Sequence, residues 1–281
     1  MAETMTDSAR SSPLPSGFGT HPQHCRWHGV ADGRALPQVA MDWILAAAAA
    51  AIAARGQFHL VLAGGETPRG AYRSLRQAQA DWPTWHIYFG DERCLPADDP
   101  ARNSRLAGEA WLDHVPIPAT QIHVIPAELG AERAAAAYAA RLRKLSDFGG
   151  FGGFATFDLV LLGLGEDGHT ASLFPGRDWG TAPGAPDALA VFDAPKPPPE
   201  RVSLSAARLS RARQVLFLVG GAGKRSALAD WQAGTDIPAR SIAPPTGVDV
   251  LLDAALLQPP DGGMAGEPAP GRRISQWKRI L

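Results

Sequence analysis

The stretch FDLVLLGLGEDGHTASLFPG, residues 157–176, decides how the chain folds. Its apolar opening, Asp158–Leu162, is short and lacks the alternation of a half-exposed strand, so it reads as a strand buried on both faces. That strand runs into Gly163, Gly165 and Gly168, a loop on which Asp167 and His169 stand two residues apart. Similar runs recur outward from it at Cys25–Val30, His59–Leu62, His86–Phe89, His123–Ile125, Arg201–Leu204 and Gln214–Val219. Helical patterns fall between several of them: an Ala-rich run from Trp43 to Ala54, then Pro68–Gln79, Asn103–Leu112 and Leu129–Leu145. Strands alternating with helices imply parallel βαβ units with right-handed crossovers, hence an α/β fold. The stretch from Pro175 to Pro199 is too rich in Pro and Gly for a long helix.

A chain of 281 residues with 45% hydrophobic and 20% charged side chains has ample material for one large α/β domain or two small ones. Its 27 basic and 28 acidic residues nearly cancel, so nothing points to a nucleic-acid or membrane surface. An anionic ligand must therefore meet a local cluster of charge. Two cysteines, Cys25 and Cys94, cannot staple a chain this long, which favours a reduced, cytoplasmic protein. The N-terminus is polar and acid-containing, without the apolar core of a signal peptide. The Ala-rich run falls short of the roughly 20 apolar residues of a membrane span. Residues 1–20 read as a flexible tail, 21–257 as a single α/β domain, and 258–281 as a loosely attached tail whose Trp277, Ile280 and Leu281 could dock on the body.

In such a sheet, ligands bind beyond the carboxyl ends of the strands. HLVLAGGETPRGAYRSL, residues 59–75, turns from strand to helix through Gly64 and Gly65. Glycines admit a ligand close to the backbone, and free N–H groups at a helix start attract anions. It reads equally as a phosphate or sugar cradle or as a tight turn without a ligand. HIYFGDERCLP, residues 86–96, places Asp91, Glu92 and Arg93 after a strand, either as a solvated loop or as a grip on hydroxyls and phosphate. His169 sits on a glycine-rich loop beside a carboxylate. Imidazole titrates near neutral pH and Asp167 can orient it, so a general base is favoured over a structural histidine.

Several motifs fail on their surroundings. Gly163, Gly165 and Gly168 satisfy G-x-G-x-x-G, but the Pro- and Gly-rich sequence that follows has no room for the crossover helix of a dinucleotide site. QVLFLVGGAGKRSALADW, residues 214–231, resembles a Walker loop, yet Leu218 stands where glycine is required. Lys224 there is either a phosphate ligand at a helix start or an exposed first-turn lysine. Arg201 and Ser203, in PPPERVSLS, open a strand after a Pro-rich loop and by themselves say little. His21, His24, Cys25 and His28 have zinc-like spacing, but no second cluster completes a site, so a structural or incidental role is favoured.

Taken in this order, the motifs resemble the 6-phosphogluconolactonase family, relatives of the glucosamine-6-phosphate deaminase/isomerases, from about His28 to Leu256. The resemblance rests most on GLGEDGHTASLFPG, residues 163–176, and then on GDERCLP, residues 90–96. It implies a Rossmann-like, mostly parallel sheet flanked by helices with a small additional strand and loop region. It also implies a cytosolic enzyme with no required cofactor or metal, acting on a small sugar-phosphate lactone, with no nucleic-acid or membrane partner. His169 matches the catalytic histidine and Asp167 its carboxylate. Gly64, Gly65 and Thr67 match the cradle; Arg93, Arg201 and Lys224 match phosphate or sugar contacts, and Asn103 matches the asparagine after the acidic loop. Asp91, Gly165 and Ser203 complete the expected substrate surroundings.

Glu66 replaces a serine of the family pattern. Its contact with phosphate would be repulsive, so it is expected at sugar hydroxyls or a cation. Arg102, also in place of a serine, is expected to add positive potential or to face solvent. Deaminases look like DGHIAFNEPG where this chain has DGHTASLFPG, residues 167–176, so Phe174 occupies the place of their supporting acid. The expected chemistry is attack of water on the lactone carbonyl, with the oxyanion held by N–H groups of the Gly163–Gly168 loop or by an arginine. A deaminase or isomerase on the same scaffold, or a non-catalytic sugar-phosphate binder, are the alternatives.

Overall fold

Short apolar runs pair side by side because each can bury both faces only between neighbours and flanking helices. The computed structural model describes residues 23–146, 157–182 and 184–257. Its strands are β1 (Cys25–Val30), β2 (Phe58–Leu62), β3 (Trp85–Phe89), β4 (Asp91–Arg93), β5 (Ile122–His123), β6 (Phe157–Leu162), β7 (Ala188–Val191), β8 (Arg201–Leu204), β9 (Ala212–Val219) and β10 (Val248–Asp253). Seven of them form one sheet in the order β1-β10-β9-β6-β2-β3-β5. Every pairing in it is parallel, with Val61 opposite both Val160 and Tyr88, and Leu161 opposite Leu216. All six residues of β6 are buried, as a central strand of a two-sided sheet requires.

The helices are α1 (Leu36–Arg55), α2 (Glu66–Leu75), α3 (Asn103–Ala110), α4 (Ala131–Ser146), α5 (Ala206–Ser210) and α6 (Arg225–Ala233). Helix α1 buries Leu36, Ala40, Ile44, Ala47, Ala48 and Ala51, a stripe at helical spacing. It ends where Gly56 takes the left-handed conformation at φ 75° and returns its N–H to the Ile52 carbonyl. The Ala-rich run is therefore longer than expected, and by length and composition Gly33–Arg55 matches a membrane span. Its buried stripe is that of a helix lying along a sheet. Each large aliphatic side chain fully buried in this way contributes about 1.5–3 kcal/mol.

A second, three-stranded sheet, β4-β8-β7, is antiparallel. The run Arg201–Leu204 belongs here, whereas the alternating pattern had placed it among parallel strands. No crossover helix connects it to β7 among the described residues, and without one only an antiparallel return is open. The Leu204 N–H donates to the Gly90 carbonyl (2.8 Å), which ties this small sheet to the end of β3. Strands β4, β7 and β10 had not been read from the sequence.

The charged triplet Asp91–Arg93 is no solvated loop. Asp91 is 6% exposed and Glu92 is fully buried. The Glu92 carboxylate accepts the backbone N–H groups of Arg93 (2.9 Å), Asn103 (2.7 Å) and Ser104 (2.9 Å), capping the start of α3. Arg102, expected to be free, is buried against Glu92 (3.4 Å) and Glu128 (2.9 Å). Its charge compensates the buried carboxylate and adds no field to a cleft. His28 contacts Asp249 (2.8 Å), and the Cys25 thiol donates to Gln23 Oε1 (3.3 Å). His21 and the expected tails, residues 1–20 and 258–281, lie outside the described residues.

Candidate active site

Strands β9, β6 and β2 are neighbours, so the loops leaving their carboxyl ends are neighbours too. They carry Gly220–Lys224, Gly163–His169 and Ala63–Thr67. The loops approach closely. A Cβ placed on Gly220 would lie 3.2 Å from Thr67 Oγ1, and one on Gly223 would lie 2.6 Å from Glu166 Oε1. Three segments separated by up to 160 residues thus converge on the edge where such sheets hold ligands.

At the centre, Asp167 Oδ1 accepts from His169 Nδ1 (2.5 Å) and from the His169 backbone N–H (3.1 Å). Partial burial works to raise the Asp167 carboxyl, but the His169 N–H and ring more than offset it and hold it below the usual carboxylate range. An ionised carboxylate only accepts, so Nδ1 carries the ring proton and Nε2 of the neutral imidazole keeps its lone pair. The His169 side chain is 19% exposed: reachable, but mostly shielded. Gly165 makes this pair possible. A Cβ there would fall 2.0 Å from His169 Nδ1 and 2.6 Å from Asp167 Oδ1, so only glycine lets the ring fold back over its own loop.

The loop's amides are largely committed to its own shape. The Gly165 N–H donates to the His169 carbonyl (2.7 Å) and the Gly168 N–H to the Gly165 carbonyl (3.2 Å). These two had been candidates for stabilising an oxyanion, and they are not available for it. The ring of Phe174 stands 4.9 Å from that of His169, and the Arg201 guanidinium lies 5.5 Å from the centre of the Phe174 ring. A phenyl ring therefore stands beside the imidazole at that place in the loop.

A buried brace runs behind this surface. Asp91 Oδ2 accepts from the Ser172 hydroxyl (2.6 Å), and Asp91 Oδ1 from Asn103 Nδ2 (3.0 Å). The Ser172 N–H donates to Ser203 Oγ (3.2 Å), whose hydroxyl donates to the Leu204 carbonyl (3.0 Å). Asp91, Asn103 and Ser203 had been expected to touch substrate; all three are buried, and what they hold in place is the loop carrying His169. Asn103 reaches one step farther, since its unpartnered Oδ1 packs against Gly64, where a Cβ would fall 2.1 Å away. Gly64, Gly65, Thr67, Gly165, Asp167, His169 and Lys224 are brought together at the edge. Glu66 lies 2.5 Å from Arg69 on its own helix and is exposed, so the cation it meets is internal.

The two arginines are partly engaged within the protein. Arg93 donates from Nη1 to the Ala101 carbonyl and stands opposite Arg201 across the β4–β8 pair. Arg201 is 5% exposed, and burial pushes its guanidinium below the usual arginine range. Sequence reasoning missed Ser172, a buried polar residue whose partner Asp91 is 81 residues away, and did not foresee that Glu92 is buried as the cap of α3. The only available signal was their position within GHTAS and GDER.

The chain as a whole is similar to known proteins. The family model described as glucosamine-6-phosphate isomerases/6-phosphogluconolactonase matches residues 31–251. A 6-phosphogluconolactonase of Synechocystis is 40% identical over 213 residues, covering 72% of this chain and 85% of that one. One of Mycobacterium tuberculosis is 37% identical over 210 residues, covering 73% and 85%. Among solved structures, a 6-phosphogluconolactonase of Thermotoga maritima superimposes with a TM-score of 0.73 at 26% identity, covering 82% of this chain and all of that one. One from Trypanosoma cruzi gives 0.74 at 26% identity, covering 84% and 97%. With most of its length matched in sequence and in fold, the chain belongs to the glucosamine-6-phosphate isomerase/6-phosphogluconolactonase family.

Proposed function

We propose that this chain is a 6-phosphogluconolactonase, a hydrolase that opens 6-phospho-D-glucono-1,5-lactone to 6-phospho-D-gluconate in the pentose phosphate pathway, with His169 as general base. The observation that carries the reading is the Asp167–His169 contact at 2.5 Å on the carboxyl edge of the sheet, next to Lys224. His169 Nε2 takes a proton from water as its oxygen attacks the lactone carbonyl carbon. Collapse of the tetrahedral adduct breaks the bond to the ring oxygen, and the imidazolium returns its proton to that departing oxygen. Asp167 holds the ring in the required tautomer and stabilises its charged form. The phosphate, held at a distance by Lys224, fixes the carbonyl against the water and supplies binding energy to the reacting end. Phe174 weighs against the deaminase chemistry of other family members, because it puts a phenyl ring where an acid would serve.

Because the lactone also opens spontaneously, the test is its rate of decay with and without protein, for the phosphorylated and unphosphorylated forms. Enzyme-dependent acceleration confined largely to the phosphorylated lactone is expected. Decay at the uncatalysed rate, or ammonia release from glucosamine-6-phosphate, would overturn the reading. Lys224→Ala should mainly raise KM; an unchanged KM would remove Lys224 from the phosphate.

A further inference from the structure

Gly168 separates Asp167 from His169, and a second segment presses on it from outside the loop. Between α6 and β10 the chain passes here as Ile237 and the short turn Pro238–Ser241. A Cβ on Gly168 would fall 2.8 Å from Ile237 Cβ, 2.9 Å from Cγ2 and 3.0 Å from Cδ1, so the isoleucine occupies the space a side chain would take. Gly168 stands at φ 82°, a left-handed conformation open to glycine. Its N–H is bound inside the loop, on the Gly165 carbonyl (3.2 Å), while its carbonyl accepts the Ala239 N–H (3.2 Å) from outside. The residue leading into His169 is thus held by an apolar contact and a hydrogen bond from one foreign segment.

That segment is itself fixed. Gln23, just ahead of β1 and 216 residues from Ala239, donates from Nε2 to the carbonyls of Ala239 (2.8 Å) and Ile242 (2.7 Å). Its Oε1 accepts from Trp231 Nε1 on α6 (2.7 Å). The Ser241 hydroxyl closes the turn on the Pro238 carbonyl (2.7 Å), and the Ala243 N–H donates to Ser210 Oγ (2.9 Å). Ile237 is 5% exposed and Ala239 fully buried. Close-packed segments of this kind yield little, so the loop meets a rigid abutment. The brace through Ser172 holds the loop beyond His169; this one holds it just before.

We propose that Ile237 is a positioning residue for His169, acting through Gly168, and that Gln23 acts one step farther back by fixing the segment that carries Ile237. This rests on the lactonase reading and deepens it. The Asp167–His169 contact (2.5 Å) bridges Gly168, so a turn of that residue about its own backbone bonds rotates one partner against the other. Truncating Ile237 leaves a void beside a glycine, which has no Cβ to restrain it. The ring then leaves the orientation in which Nε2 meets the attacking water. Turnover falls, while the distant phosphate grip, and KM with it, is kept.

The test measures kcat and KM on 6-phosphogluconolactone beside a melting curve for each variant. Ile237→Ala should lower kcat about five- to tenfold with KM within about twofold, less than the roughly hundredfold that a full 1 Å misplacement can cost. Ile237→Val loses only Cδ1 and should keep kcat within about twofold of wild type. Ile44→Ala truncates a fully buried side chain on α1, far from the loop in the chain, and should lower the melting temperature while leaving kcat within about twofold. Gln23→Ala should lower kcat at least about threefold, again without KM, and carries the test if Ile237→Ala does not fold. Equal losses of kcat in Ile237→Ala and Ile44→Ala, or a loss carried by KM, would make Ile237 merely structural and overturn the proposal. A folded Ile237→Ala with kcat within about twofold of wild type overturns it too, and so does Gln23→Ala at that level where it stands in. If wild type does not accelerate lactone decay, the lactonase reading fails and this inference with it; if wild type does and Ile237→Ala turns over equally well, only the inference fails.

Discussion

Histidines occupy two places in the same parallel sheet, and the two places treat them in opposite ways. At the carboxyl edge, beyond β6, His169 is paired with an ionised carboxylate and open on its other nitrogen. Within the sheet, on β2, β3 and β5, His59, His86 and His123 form a ladder. Ring centres are 4.8 Å apart between the first two and 5.8 Å between the last two, with interplanar angles of 14° and 6°. Burial and mutual repulsion push His59 and His123 down to about 4, and burial lowers His86 as well. Clustering histidines therefore makes them inert at neutral pH, while a lone one on a glycine loop with a carboxylate at its back is equipped to move protons.

The sharpest way to break this contrast is to exchange the consequences. His169→Ala should lower kcat on the phosphorylated lactone at least about a hundredfold, the lower end of what a general base contributes. Its thermal stability should stay near wild type, because the ring rests on an open loop. Near-normal turnover in the folded variant would move the base elsewhere. Gly165→Ala should fall next, with kcat down about tenfold to a hundredfold, since a Cβ 2.0 Å from Nδ1 must displace the ring while removing no charged group. Should Gly165→Ala turn over normally, the exact seat of the ring is unimportant. Ser172→Ala removes one hydrogen bond (2.6 Å) from the buried Asp91 and should cost about 1–3 kcal/mol of stability with only a few-fold loss in kcat. A steady-state assay beside a melting curve separates these two readouts.

The same contrast explains what the sequence could disclose. The parallel sheet was legible because its strands are apolar runs whose burial is a property of their own residues, as in the six buried positions of β6. His169, Asp167 and the glycine loops were legible because their contacts are local, two residues apart in the tightest case. Asp91, Ser203 and Asn103 were noticed, but their burial was not, because their partners come from across the chain: Ser172 is 81 residues from Asp91. Glu92 and Arg102 look like solvent-seeking charges until folding brings them together (3.4 Å). Strand β10, VDVLLD, had the signature of a buried strand and was overlooked. Strands β4 and β7 carried none, since three charged residues and four small apolar ones are too short to mark a strand and form one only when β8 lies beside them.

The ladder offers the smallest effect and the cleanest separation from catalysis. A histidine whose folded pKa lies below its unfolded value binds its proton first in the unfolded chain. Stability is then full above about pH 6.5 and declines as the pH falls toward about 4. The charges around the ladder do not cancel this: Asp158 favours a charged His59, but Arg55 and Arg208 oppose it, and Arg141 opposes a charge on His123. Replacing His123 by Phe keeps a flat ring between His86 and Tyr88 and removes one titrating group. Melting curves at pH 7.5, 6 and 5 should then show a shallower loss on acidification. The difference should be on the order of 1–2 kcal/mol after discounting for partial solvent access, with kcat at neutral pH unchanged. An identical pH slope in His123→Phe would mean that the ladder's nitrogens are hydrated and ordinary. An altered kcat would mean that the ladder is felt at the carboxyl edge, against this separation of roles.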